Sequence, residues 1–250
     1  MTSSVTNSDP LGHALTAYLR GDESATLTVH TNVSEDEPLP ASYFFRSLWE
    51  MPELERRALE ECQGRILDLG AGAGAHALEL QNRGFSVRAL DVSAGAVQVM
   101  EERGVREVAH HNLFDIPASG EHFDTILMLM NGLGLVGTLD GLARFLKHAR
   151  SFLAPGGQIL ATSSDVAYLY EDEEGALLID LNGPYYGEIE YAMTYEGETG
   201  APFQWLFVEA SILQDYAEEA GYELEIIAED DQQQYLARLT LSAGAHQANQ

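Results

Sequence analysis

The residues from Ile66 to His76 bring together groups that can do chemistry: an apolar run ends in the carboxylate of Asp68, and Gly70, Gly72 and Gly74 then alternate with alanines before a helical text begins near Ala75. Glycine is needed where backbone must approach a ligand closely or adopt positive φ, so this loop reads as a ligand-binding turn between a strand and a helix. A plain tight turn is the competing reading. Two ligands fit the spacing. Gly70, Gly72 and Ala75 satisfy G-x-G-x-x-G/A, and Asp91 lies 21 residues after Gly70, a position suited to a ribose hydroxyl, which describes a dinucleotide. Asp68 argues for a different ligand, because a carboxylate two residues before the first glycine repels a pyrophosphate but attracts the ammonium of an amino acid. The charges select a zwitterion.

The acidic-x-G-x-G-x-G text of Asp68, Gly70, Gly72 and Gly74 resembles the first motif of the class I S-adenosylmethionine-dependent methyltransferases. The resemblance spans roughly residues 41 to 241 and is most specific over 64 to 131. It implies S-adenosylmethionine as cofactor, with the loop backbone, Ala71 included, cradling the methionine part and Asp68 facing its ammonium directly or through water. Asp91, at the end of ALDVS, would receive the ribose hydroxyls, and Val92 would pack on adenine. Capping of the next helix is the alternative role for Asp91, although Ser93 is the more natural cap. In HNLFDIP, aligning Ile116-Pro117 with the family's L-P puts Asn112 where an acid usually accepts from the adenine amino group, with Asp115 as the second candidate and Leu113 and Phe114 bordering the ring. A turn-stabilising role competes for Asn112.

Asn131 opens Asn131-Gly132-Leu133-Gly134, where the family's fourth motif sits beside the transferring methyl group. The prolines and aromatic of the N-P-P-Y text are absent, which puts methylation of nucleic-acid base amines in doubt. An N-terminal segment folded over the cofactor would carry Arg46 to the methionine carboxylate, with Tyr43, Phe44 and Phe45 as lid or as packing. For an acceptor that must lose a proton, the candidates are Asp165 as base, Asn131 as orienting group, and His76 or a tyrosine. Tyr168, Tyr170, Tyr185, Tyr186 and Trp205 wall the acceptor site in one reading and pack a hairpin or a dimer face in the other. The resemblance implies methyl transfer to a small-molecule acceptor. The alternatives are an NAD(P)-dependent oxidoreductase and a non-catalytic nucleoside-binding module, the latter kept open by Asn112.

These residues must be held by elements that the sequence also announces. Residues 65–69, 85–90, 105–109, 123–130 and 157–164 read as strands, alternating with helices over 75–84, 93–104 and 139–153. That alternation means βαβ units in a doubly wound, Rossmann-like, mainly parallel sheet of seven strands, closed by an antiparallel pair over about 222–241. Residues 166–208 read as an antiparallel hairpin inserted after strand five. Residues 1–40 read as a flexible segment with one short helix over 11–20, and 242–250 as a tail.

Composition narrows the function classes. With 250 residues, 45% hydrophobic and 9% aromatic, the chain can bury a sizeable core in one domain. A single cysteine, Cys62, precludes an internal disulfide, and adjacent His110 and His111 point to opposite sides of an extended segment, so no metal site is expected. The 40 acidic residues against 13 basic ones give a net charge of −27, and Lys147 is the sole lysine. Such a charge repels phosphate backbones and anionic lipid, so neither nucleic acid nor membrane is expected as partner. Adaptation to a salt-rich cytoplasm accounts for it, with an acidic functional surface as the alternative. Neither a signal sequence nor a membrane span is legible, so a cytoplasmic monomer or homodimer is expected.

Overall fold

Asp9 ties the first helix to a later one. Its Oδ1 accepts from the Gly12 N–H at 2.9 Å and caps α1 (Pro10–Leu19), whose leading proline needs no amide partner. In the computed structural model, which describes residues 8–117, 120–172, 175–180 and 182–242, Asp9 Oδ2 accepts from Ser93 Oγ at 2.8 Å and from the Gly95 N–H at 2.9 Å. Two strands follow, β1 (Thr26–Thr31) and β2 (Glu37–Pro40), and then α2 (Glu53–Glu61). The alternating part runs β3 (Arg65–Leu69), α3 (Ala75–Asn82), β4 (Ser86–Asp91), α4 (Ala94–Arg103), β5 (Glu107–His110), β6 (Phe123–Met128), α5 (Leu139–Ala149) and β7 (Leu153–Ser164). After β7 come β8 (Glu188–Tyr195), β9 (Glu198–Thr199), β10 (Phe203–Leu206), α6 (Ala210–Glu219), β11 (Tyr222–Glu229) and β12 (Gln234–Leu241).

The central sheet has seven strands in the order β11-β12-β7-β6-β3-β4-β5. From β7 to β5 the pairings are parallel, and β12 runs antiparallel to both of its neighbours. Strand β3 is nearly continuous hydrophobic text because both faces of a parallel sheet are covered. Leu67 and Leu69 pack with Phe145 and Leu213 on one face, whereas Ile66 packs with Leu54, Leu59 and Leu80 on the other. By the same alternation Asp68 points toward the α2 and α3 side. The register sets Asp68 beside Ala89 and Leu69 beside Leu90, so the ends of β3 and β4 reach the loop region together.

The reading of residues 1–40 as flexible with one helix needs correction within the described part. Strand β1 pairs antiparallel with β2 on one edge and with β8 on the other, so the N-terminal text completes the sheet that the later insertion begins. This second sheet runs β10-β8-β1-β2, with β9 also on β8. The physical reason is visible in Thr26–Thr31, where β-branched residues dominate and Leu27 is fully buried. Helix α1 is packed as well, with Ala14 and Leu15 fully buried, and its Gly12 meets Gly95 backbone to backbone. Residues 1–7 and the expected tail from 243 onward lie outside the described residues. Among the described residues, no helix is long and apolar enough to cross a membrane.

Because one carboxylate serves the starts of both α1 and α4, Asp9→Ala is expected to destabilise the protein by about 1–2 kcal/mol. Chemical denaturation reads this directly as a lower midpoint with an unchanged slope.

Candidate functional site

The glycine loop is fixed to β4 by its own amides. The N–H groups of Gly70 and Ala71 both donate to the Leu90 carbonyl, at 2.8 and 3.1 Å. Gly70, Gly72 and Gly74 all have positive φ, and a Cβ on Gly72 would stand 3.0 Å from the Phe44 ring. A side chain there would strain the backbone and displace the aromatic above it. Asp91 Oδ2 accepts from the Gly72 N–H and Oδ1 from the Ser93 N–H, both at 2.9 Å, while Ser93 caps α4. Asp91 thus braces the loop, and each of its oxygens keeps a second lone pair for a hydroxyl donor. Burial raises the Asp91 carboxyl above its usual range, opposed by the Ser93 and Gly72 amides.

Asp68 is 2% exposed, and its Oδ2 has no hydrogen-bond partner. A buried carboxylate oxygen without a donor costs free energy unless a ligand supplies one. Burial pushes the Asp68 carboxyl up to about 6, against the pull of nearby His76 and with the added push of Asp91. Beside it lies a narrow cleft lined by Tyr43, Arg46, Gly70, Ala71, His76 and Met130, among others. Arg46 stacks on the Tyr43 ring at 3.6 Å and donates from Nη2 to both oxygens of Glu55 at 2.9 and 3.0 Å. His76 Nε2 bonds Glu55 Oε2 at 2.7 Å. Burial works to raise the Glu55 carboxyl, but the His76 hydrogen bond and charge, with Arg46 behind them, bring it below the usual carboxylate range. The cleft therefore presents an unpaired carboxylate oxygen on one side and an anchored guanidinium on the other, which is complementary to a zwitterion.

Met130 and Asn131 leave β6 with φ of 61° and 55°. Two successive left-handed residues without glycine cost on the order of 1–3 kcal/mol each and persist only where surroundings impose them. Here the Asn131 N–H donates to Thr162 Oγ1 at 2.9 Å, and its Oδ1 accepts from Ser164 Oγ at 2.8 Å. Met130 lines the cleft, while Asn131 lines a second cavity of about 810 Å³. That cavity lies between the second sheet, through Thr31 and Tyr191, and the end of the central sheet, through Ser164 and Gln234.

The remaining expected residues divide. Asp165 is not among the cavity's lining residues; its Oδ1 accepts from Tyr186 Oη at 2.8 Å and from the Ala167 N–H at 2.9 Å, a position that does not suit the base role expected for it. Of the expected aromatic wall, Tyr168 lines the cavity, whereas Tyr185 and Tyr186 pack on each other with centroids 4.6 Å apart, and Trp205 lies against Gly134. Val92 is exposed at the end of β4, where its carbonyl accepts from His110 Nε2. Asn112 Oδ1 caps the turn by accepting from the Phe114 N–H at 2.9 Å, so the turn-stabilising role is present. Leu113 is buried, and Arg144 covers the Phe114 ring at 4.4 Å. Residues missed by the sequence reading are Glu55, which anchors Arg46, and Glu35 and Glu37, which line the cavity beside β1. Recognising TLTVHT as a strand would have pointed to the latter pair.

Comparison with known proteins agrees with this geometry. A family model described as a methyltransferase domain matches residues 66–157. The chain is similar to an S-adenosylmethionine-dependent methyltransferase from Bacteroides fragilis, solved in complex with S-adenosylhomocysteine, at 41% identity over 94% of this chain and 95% of that one, with a TM-score of 0.87. It is 34% identical over 112 residues to a dTDP-4-amino-2,3,4,6-tetradeoxy-D-glucose N,N-dimethyltransferase of Saccharopolyspora spinosa, covering 43% of each chain. It is also 33% identical over 136 residues to an uncharacterised protein of a Synechococcus strain, covering 49% of this chain and 31% of that one. The matched segments thus span less than half the length of either curated relative.

The buried Asp68 carboxyl leads to a pH-dependent expectation. Its raised folded value favours folding below about pH 4, and that contribution is lost as pH rises through about 6. Ligand-free Asp68→Asn is therefore expected to be more stable than the parent at neutral pH, by up to about 3 kcal/mol, with the gap closing on acidification. Denaturation midpoints across that pH range check the sign.

Proposed function

The chain belongs to the S-adenosylmethionine-dependent methyltransferases, and from that premise we propose that it transfers a methyl group from S-adenosylmethionine to a small-molecule acceptor held in the cavity at Asn131. The observation that carries the reading is the unpartnered, buried Asp68 Oδ2 at a glycine loop, which fits the ammonium of this cofactor and would repel the pyrophosphate of a dinucleotide. When bound, S-adenosylmethionine supplies an electrophilic methyl group on a sulfonium centre.

Each part of the site has work in this reading. Asp68 accepts from the ammonium, and Arg46, held by Glu55 and His76, stands on the same cleft for the methionine carboxylate. Asp91 accepts from ribose hydroxyls while bracing Gly72. Val92, Asn112, Leu113 and Phe114 border adenine; Asn112 Oδ1 accepts from the Phe114 N–H and keeps a second lone pair for the adenine amino group. Met130 lines the cleft and its neighbour Asn131 lines the cavity, so the two spaces meet at this turn, where a nucleophile held in the cavity comes into direct line with the methyl group. Orientation and exclusion of water are the main contributions required of the protein, since the methyl donor is already activated. Asp165, bound to Tyr186, supports positioning of the segment after β7 rather than proton transfer. The sugar N,N-dimethyltransferase relative supports an acceptor of small-molecule size.

Titration calorimetry with S-adenosylmethionine, S-adenosylhomocysteine and NAD tests the reading. Binding of both sulfur nucleosides without NAD is expected; NAD binding alone overturns it, and binding without turnover of any acceptor points to a nucleoside-binding module. Asp68→Asn is expected to weaken S-adenosylmethionine by about 1.5–3 kcal/mol, the scale of a lost hydrogen bond to a charged group. Asn131→Ala is expected to lower the transfer rate more than the cofactor affinity, seen as a fall in kcat at unchanged Kd.

A further inference from the structure

The cavity at Asn131 differs from its surroundings in what it lacks. Among its described lining residues are three carboxylates, Glu35, Glu37 and Asp231, and no arginine, lysine or histidine. The chain as a whole is acidic, yet it places arginine deliberately elsewhere: Arg46 in the cleft, Arg88 on Glu107 and Glu121, Arg238 on Glu61 and Glu225. Glu35, Glu37 and Asp231 are solvent-exposed, so their combined field favours cations but is screened by salt. A phosphate placed there would meet three negative groups and, among the described lining residues, no cation, so like-charge repulsion opposes it.

Two other features give the cavity a positive preference. Tyr168 and Tyr191 line the cavity together with the carboxylates, and aromatic rings with negative charge attract organic ammonium groups. Burial first, then the neighbouring Glu37 and Tyr168, push the Tyr191 hydroxyl up to about 12, consistent with a negative field at that wall. Thr31, Ser34 and the glutamines at 232–234 add hydroxyl and amide groups able to bond a hydroxylated ligand from several directions. The volume of about 810 Å³ admits a ligand of one or two sugar rings.

We propose that the cavity takes an unphosphorylated, hydroxyl-bearing amine such as a free amino sugar, which binds in its ammonium form and gives that proton to one of the lining carboxylates before the nitrogen lone pair takes the methyl group and leaves S-adenosylhomocysteine, and that it rejects phosphorylated or nucleotide-linked sugars. This rests on the methyltransferase reading above and refines its acceptor. It sets the chain apart from the relative named for a dTDP-linked amino sugar, whose diphosphate would have no cationic partner in this cavity.

The test is calorimetric titration of the protein saturated with S-adenosylhomocysteine, using glucosamine, glucose and glucosamine 6-phosphate as probes at low and at high KCl. Saturation itself reports on the methyltransferase reading: failure of S-adenosylhomocysteine to bind removes that reading, whereas normal binding isolates the acceptor question. Glucosamine is expected to bind about fivefold or more tighter than glucose, with the phosphate weakest and the preference shrinking as salt rises. Glucosamine 6-phosphate binding as well as glucosamine, glucose matching glucosamine, or no probe binding overturns the proposal. In a Glu35→Gln, Glu37→Gln double variant, glucosamine affinity is expected to fall about three- to fivefold while glucose affinity stays unchanged. Both positions are exposed, so the fold tolerates the change.

Discussion

One oxygen atom organises much of this molecule. Asp68 Oδ2 is buried near the end of β3 without a donor, a condition that costs free energy and that a ligand's donor would relieve. Its position follows from elements around it. Parallel pairing brings the ends of β3 and β4 level, the loop amides hang from Leu90, and Asp91 holds the turn from the neighbouring strand. Positive φ at the three glycines lets the backbone pass close to the same point. Burial works against the charge of Asp68, so its ionised form costs stability in the ligand-free protein.

The Arg46–Glu55–His76 chain is the counterpart. Glu55 is 3% exposed, and ionising it so deep is offset only because two neighbours bond its oxygens. Its effect is to fix Arg46 and the Tyr43 ring beneath it over the cleft that Asp68 also faces. A guanidinium held at one edge and a bare carboxylate oxygen at the other give the cleft a direction. In the proposed reading a zwitterion would enter in one orientation, with the ribose of the cofactor toward Asp91.

The acceptor side is built by a different route. Strand β1 precedes the central sheet in the chain and β8 follows β7, yet they pair edge to edge over the end of the central sheet. The roof is thus shared between two segments separated by the whole cofactor-binding core, and its charge is set by residues in the turn before β2 and in the β11–β12 turn. The strained Met130–Asn131 step belongs to both compartments. Its hydrogen bonds to Thr162 and Ser164 come from β7, so the strand that supports the cavity also imposes the backbone that separates it from the cleft.

The amino-acid sequence determined the central fold and the cofactor end. Apolar runs alternating with amphipathic helices, three glycines at alternating positions and carboxylates at two strand ends are local patterns, and backbone geometry at such places depends on local chemistry. Tertiary structure decided what depends on contacts between distant segments. TLTVHT carries the β-branched residues of a strand, but its partners β2 and β8 lie in distant text, so only the tertiary structure shows that it pairs on both edges and buries Leu27. Asp165 and Tyr186 stand 21 residues apart and the sequence left both as site candidates; in the fold they hydrogen-bond each other, and neither is among the described residues lining the cavity. Glu55 looked like one acid among many on a surface helix, and only the approach of Arg46 and His76 made it a buried anchor. Local spacing fixes where a ligand's backbone contacts fall, whereas the partners of a charged side chain are chosen by packing.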